Sequence, residues 1–368
     1  MKPARAKATR DKPGRSGGKS SRQRDRGGSS ASSQRTKQAG HAPRQLILVT
    51  CAAFILAIGL LSWDLTESWR SGPASTNGQI AVPTSGGITL VDAVTGQTRE
   101  LLPRRANASV TAVAWSPDRS TLAYTLFHRR PEDRVSSSEL FTIPSGGGSP
   151  TLVVPRPQPG TVIDVPAWAP DGRAIFYAFQ GVENSRPVAR VERVTLADQS
   201  QQRLYDDASF PTVSSDGRQV AFTHDDGRGQ ALRVGSVEGG DAREIVNNAT
   251  FRGLMGPRFS PDGTWIAFVA QGPGPAGELP TQRSLLAAIF DLRVAYAHGE
   301  PWNVWKIRPD GRELQRVGTL QEDEPLISWS RDGSWIAVHG TGGLWLLDSR
   351  GLTEPRRLTD GSIGGIDW

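Results

Sequence analysis

One cysteine, Cys51, stands in the 368 residues. It excludes an intrachain disulfide and a cysteine-based zinc site, so the folded part has to rest on an ordinary hydrophobic core. The usual local signatures of catalysis are missing as well. Between Gly78 and Trp368 there is no G-x-S-x-G elbow, no H-E-x-x-H pair and no phosphate-binding G-x-x-x-x-G-K-[ST] loop. No residue is assigned a catalytic, cofactor-binding or metal-binding role, no cofactor is implied, and the expectation is that the chain is not an enzyme. Long apolar runs are scarce too, with one exception near the N-terminus. What the chain has in quantity is turn material, 41 Gly and 26 Pro, which favours many short strands over long helices.

Charge is distributed unevenly. Residues 1–44 carry 13 Lys and Arg against 2 Asp, whereas the rest carries 30 basic and 35 acidic residues. The excess of positive charge therefore belongs to a tail that lacks the apolar residues needed for a core, and that tail is expected to be disordered. Nucleic-acid binding by the folded part loses its main support. Next comes LILVTCAAFILAIGLLSW, Leu46 to Trp63, without a charge. A helix of that length, about 27 Å, matches the core of a bilayer. The segment 45–63 is expected to be a transmembrane helix, with the basic tail on the cytoplasmic side and everything after it outside. The tail adds about 1 kcal/mol of attraction to anionic lipid per basic residue near the surface. Residues 64–77 read as a linker.

From Gly78 onward one motif recurs: WSPDR, WAPDG, VSSDG, FSPDG and WSRDG, starting at Trp115, Trp168, Val213, Phe259 and Trp329. The intervals are 53, 45, 46 and 70 residues. Each motif is followed by a short β-type run such as STLAYTLF or TWIAFVA, and then by two further strand-like runs. Four short strands with a period near 45 residues are the signature of a propeller blade. Ser-Pro-Asp-Gly is itself a turn sequence: Pro presets φ, Asp bonds its own backbone and Gly accepts positive φ. The aromatic in front ends the innermost strand. The repeat positions are Trp115, Asp118, Trp168, Asp171, Asp216, Phe259, Asp262, Trp329, Asp332 and Trp368. The last segment, GSIGGIDW, matches a leading strand, and Gly78–Leu102 supplies three strands without one. The two ends are expected to complete a single blade. The fold class is thus all-β: a six-bladed β-propeller over 78–368, closed by pairing of its N- and C-terminal strands and preceded by one transmembrane helix.

These motifs resemble the TolB-type six-bladed propellers with their WD-like W-S-P-D-G repeats. The resemblance covers about Gly78 to Trp368 and speaks for fold more than function. TolB itself carries a globular α/β domain before its propeller, and the linker 64–77 leaves no place for one.

What differs between repeats points to one face. His128, His224 and His339 follow their motif aspartates by 10, 8 and 7 residues, which puts them opposite the motif turns. Arg129 and Arg130, and Asp225 and Asp226, accompany two of them. An insertion at 272–301, with Leu286, Ile289 and Phe290 in an apolar helical pattern, is expected on the same face. Channel-facing acids are sought at Asp164 and Glu324, with Asp367 at a different level. The function implied is an extracytoplasmic, membrane-anchored propeller serving as a non-enzymatic interaction module for an envelope protein, with no nucleic acid bound by the folded domain. The alternative is a small-ligand sensor or a metal-dependent hydrolase or lactonase with its site in the channel.

Overall fold

The computed structural model describes residues 78–128, 137–155, 160–272, 274, 302–320, 322–361 and 364–368. The expected tail, the apolar run Leu46–Trp63 and most of the insertion lie outside them. Among the described residues no helix is long and apolar enough to cross a membrane.

Twenty-three strands form six antiparallel sheets. The first sheet holds β1 (Gln79–Thr84), β2 (Gly87–Asp92) and β3 (Thr98–Leu102). The second runs β4 (Ala108–Trp115), β5 (Thr121–His128), β6 (Ser137–Pro144) and β7 (Thr151–Val154). The third runs from β8 (Val162–Trp168) through β9 (Ala174–Glu183) and β10 (Arg186–Thr195) to β11 (Gln201–Asp206). The fourth begins with β12 (Ala208–Val213) and β13 (Gln219–Asp225), the fifth with β16 (Gly253–Phe259), β17 (Ile266–Gln271) and β18 (Trp302–Ile307), and the sixth with β20 (Leu326–Trp329) and β21 (Trp335–Gly340). This is the all-β, six-bladed propeller that the repeats predict. At the end of the chain Ala81 and Asp367 exchange two backbone hydrogen bonds, and Val113 N donates to Gly365 O.

The core sits between sheets rather than within them. Six clusters of buried side chains occur, and each draws on two neighbouring sheets. Tyr177 and Ile175 of β9 pack with Ala123 and Leu140 of the second sheet, whereas Phe176 of the same strand packs with Phe222 of the fourth. Alternation along β9 thus gives each blade two apolar faces, one for each neighbour. Ile80 and Val82 meet Ala337 and Leu344 of the sixth sheet, together with Ile366 and Trp368.

Four of the five motif turns share one hydrogen-bonded relay, the exception carrying Ala169 in place of the serine. Ser116, Ser214, Ser260 and Ser330 each donate Oγ–H to the aspartate two residues on, at 2.5–2.6 Å. The same hydroxyls accept a backbone N–H five residues on, at 2.9–3.0 Å. The residue after the aspartate is left-handed in every turn, with φ of 68–72° at Gly172, Gly217, Gly263 and Gly333. In the second blade Arg119 holds that place at φ 64°. Its guanidinium lies over the Trp115 ring and donates to Gln79 O at 2.9 Å, bridging to the first sheet. Those contacts offset the strain of a side chain in a region that suits glycine.

The Ser116 hydroxyl is the main reason that the Asp118 carboxyl is held down at about 2. An acid stabilised in this way supports the fold above its ordinary value of 3.8 and loses that support as pH falls through about 2. Between about pH 4 and pH 2 the wild type should therefore lose stability that Asp118→Ala has already lost. Urea titrations across that interval should show the gap between the two proteins closing. A constant gap would refute this role for Asp118.

Candidate functional site at the channel mouth

The innermost strands are interrupted in a regular way. In β8, β12 and β16 two residues stand against one on the neighbouring strand: Val165 and Pro166, Phe210 and Pro211, Gly256 and Pro257. The first of each pair has positive φ, at 50°, 53° and 61°. Proline has no N–H to lose from the ladder, and the bulge re-aims the side chains beside it. Asp164 precedes the first of these bulges and Arg258 follows the third.

Immediately before the first residue of each motif stand Ala114, Ala167, Thr212, Arg258 and Ser328, and Asp367 stands in the same way before Trp368. All six line one cavity of about 260 Å³, walled further by Trp115, Trp168, Phe259, Trp329 and Trp368. The same position also joins adjacent blades. Where it carries an acceptor side chain, the backbone N–H of the next blade's aromatic donates to it. Trp115 N donates to Asp367 Oδ2 at 2.7 Å, Phe259 N to Thr212 Oγ1 at 3.2 Å and Trp368 N to Ser328 Oγ at 3.0 Å. Before Trp168 and Trp329 it carries Ala114 and Arg258, which offer no acceptor. There the indole N–H donates to the backbone carbonyl instead, at 3.0 Å in both cases.

Deeper in the channel Asp164 Oδ1 accepts Thr111 Oγ1–H at 2.8 Å, Thr125 Oγ1–H at 3.0 Å and the Val165 N–H at 2.8 Å. Burial pushes its carboxyl up, against these three bonds and the charge of Arg258. Burial also lowers Arg258, while Asp367 and Asp164 favour its charge. The channel mouth therefore holds one cation and two acids behind aromatic walls. This can orient a charged small molecule, and Asp164 has the shifted carboxyl that acid–base chemistry uses.

The structure separates the residues expected on the opposite face. His128 bonds Glu139 of the adjacent strand at 2.7 Å. His339 is buried, with Nδ1 3.0 Å from Gly364 O, and burial lowers its pKa. His224 lies on β13; Asp225 and Asp226 accept the N–H groups of Gly227 and Arg228 within their own turns. Arg129, Arg130, Leu286, Ile289 and Phe290 lie outside the described residues. Among the described residues no group of three or more His, Cys, Asp or Glu is placed to hold a metal ion. Glu324 is exposed in the connection between the fifth and sixth sheets. The channel role expected of it is corrected, because it stands ahead of the inner strand rather than on it. Arg258 escaped the sequence reading. Aligned on the motif, the preceding residues read A, A, T, R, S and D, and a lone cation among small residues is the signal that could have found it.

No family model matches the chain. Its structure is similar to TolB from Acinetobacter baumannii, with 17% identity, 84% of this chain and 71% of that one covered, and a TM-score of 0.58. A chain of the nidogen/laminin complex matches at 12% identity over 78% of this chain and 97% of that one, with a TM-score of 0.57. The likeness to TolB-type propellers is thus one of fold. Among curated proteins an uncharacterised peptidase of Bacillus subtilis, YuxL, is 26% identical over 157 residues, which are 42% of this chain and 21% of that protein. The chain thus spans about a fifth of that relative's length. This relative overturns the expectation that the chain is not an enzyme: part of the chain is similar to part of a protein described as a peptidase, so absent local motifs do not exclude catalysis.

Because the native state holds the Asp164 proton to higher pH than the unfolded chain does, its contribution to stability falls as pH rises above 3.8. Asp164→Asn keeps an oxygen for its three donors and removes the charge. Thermal melts should show the variant gaining on the wild type as pH rises from about 4 to neutrality. A variant that loses ground over that range would refute the assignment.

Proposed function

We propose that the chain is a single-span membrane protein whose propeller stands outside the cytoplasmic membrane and binds an envelope protein. The binding face is the one opposite the motif turns. One observation carries this reading. Pairing continues up to that face at His128↔Ser137 and Gln271↔Trp302, so the strand ends that flank 129–136 and 272–301 in the sequence lie on it. The motif face, by contrast, is formed from tight turns of one repeating design. Connections of unequal length gathered on one face of a rigid scaffold are where recognition residues collect. The span Leu46–Trp63, the cytoplasmic basic tail 1–44 and the linker 64–77 belong to the same proposal.

Within it, the ring is closed by its two ends, the segment 365–368 supplying the first sheet with its innermost strand. The Ala81–Asp367 backbone pair and the burial of Trp368 support this. Removing residues 366–368 strips out Ile366 and Trp368 and should cost at least about 3 kcal/mol, the scale of deleting one large core side chain. Chemical denaturation reads this directly, and an unchanged midpoint would refute closure by the ends.

Crosslinking in native membranes tests the binding face. The full chain should capture one specific protein, and a version with 272–301 replaced by a short turn should lose it while melting like the wild type. Equal capture by both would sink the assignment of the face. A second reading, a ligand-binding or catalytic channel, is favoured by the raised pKa of Asp164 beside Arg258.

A further inference from the structure

Arg258 has five N–H donors and spends one of them on the carbonyl of its own neighbour Pro257, at 3.2 Å. It makes no ion pair among the described residues. The acids nearest to it are already engaged. Asp367 takes Trp115 N–H on one oxygen and Ser328 Oγ–H on the other, at 2.7 and 2.8 Å. Asp164 holds three donors on Oδ1. The remaining N–H donors of this half-buried guanidinium, which lines the cavity, form a planar fork that matches a carboxylate in two parallel bonds.

The surroundings narrow the ligand. The volume of about 260 Å³ lies just below the small end of ligand sites, so the occupant is small. Ala114 and Ala167 complete the ring without reaching across it, which leaves the space open. The walls are Trp115, Trp168, Phe259, Trp329 and Trp368, suited to a flat apolar body. Asp367 lines the cavity and Asp164 lies close enough to act on the Arg258 charge. The Asp367 carboxylate repels a second negative charge on the ligand.

We propose that the channel mouth on the motif face binds a small aromatic or apolar monocarboxylate, its carboxylate forked by Arg258 and its body against the tryptophan walls. This site is independent of the partner face opposite. Dicarboxylates, tricarboxylates and phosphate are disfavoured, because Asp367 on the cavity wall opposes their additional charge.

The test is calorimetry on the full chain in detergent, with phenylacetate, citrate, inorganic phosphate and benzylamine as probes. Phenylacetate should bind, and the other three should bind at least about tenfold more weakly, a difference of ~1.4 kcal/mol. Arg258→Gln should weaken phenylacetate by tenfold or more while still melting cooperatively, since this guanidinium donates a hydrogen bond only to the Pro257 carbonyl. Arg258→Lys keeps the charge and loses the fork, and should fall between the two. It also decides the matter if the glutamine variant fails to fold. No phenylacetate binding at millimolar concentration, binding unchanged in the variants, or citrate, phosphate or benzylamine binding as tightly as phenylacetate would each overturn the proposal.

Discussion

The structure depends on how each inner strand is tied to the next at the level of the motif aromatic. Six blades have to hold one spacing around an axis, and the tie is made at the residue before the aromatic. Where that residue offers an oxygen, as Thr212, Ser328 and Asp367 do, the neighbouring backbone N–H takes it. After Ala114 and Arg258, which offer none, Trp168 and Trp329 supply the bond through their indoles, whereas Val213, which follows Ala167 in the ring, has no indole to offer. The two solutions are interchangeable in function and differ in what they leave free. An indole tie frees the preceding side chain from structural duty. That is how Arg258 can stand in the channel with its donors unspent.

This division explains what was legible in the sequence. The repeats were, because the Ser–Asp relay demands particular residue types at fixed spacing, and so the blades could be counted. The bulges were not read, although V-P, F-P and G-P stand at one offset before Trp168, Val213 and Phe259. Proline in a strand signals an irregularity without saying which way the chain then turns. Of the channel charges the sequence pointed to Asp164 but not to Arg258. Asp164 and Arg258 lie in different blades and meet only when the ring forms. Glu324 looked as suitable as Asp164 by distance from its motif, but the four residues of β20 leave it outside the sheet. The histidines follow their motifs at similar distances, yet the structure gives two of them separate partners, His128 on Glu139 and His339 on Gly364.

Fold and activity part company in this architecture. The relatives by structure include a TolB and a chain of an extracellular matrix complex, while the curated relative by sequence is described as a peptidase. A propeller supplies a rigid ring, two faces and an axial cavity, and chemistry is decided by a few side chains that the ring does not need. Asp164 is such a side chain, with Thr111 and Thr125 bracing it from the second sheet. Its bracing uses one carboxylate oxygen three times and leaves the other clear.

The placement of the core between blades has a consequence for how such a chain changes over generations. An open stack of repeats can gain or lose a unit, because each contacts only its neighbours and the ends stay free. Here every apolar cluster is shared by two sheets. Deleting one blade would strip a face from each of its neighbours and alter the angle at every remaining interface. The number of units is therefore frozen, and novelty is diverted into the connections, where 272–301 separates two strands that still pair residue for residue from Gln271↔Trp302 to Ile266↔Ile307.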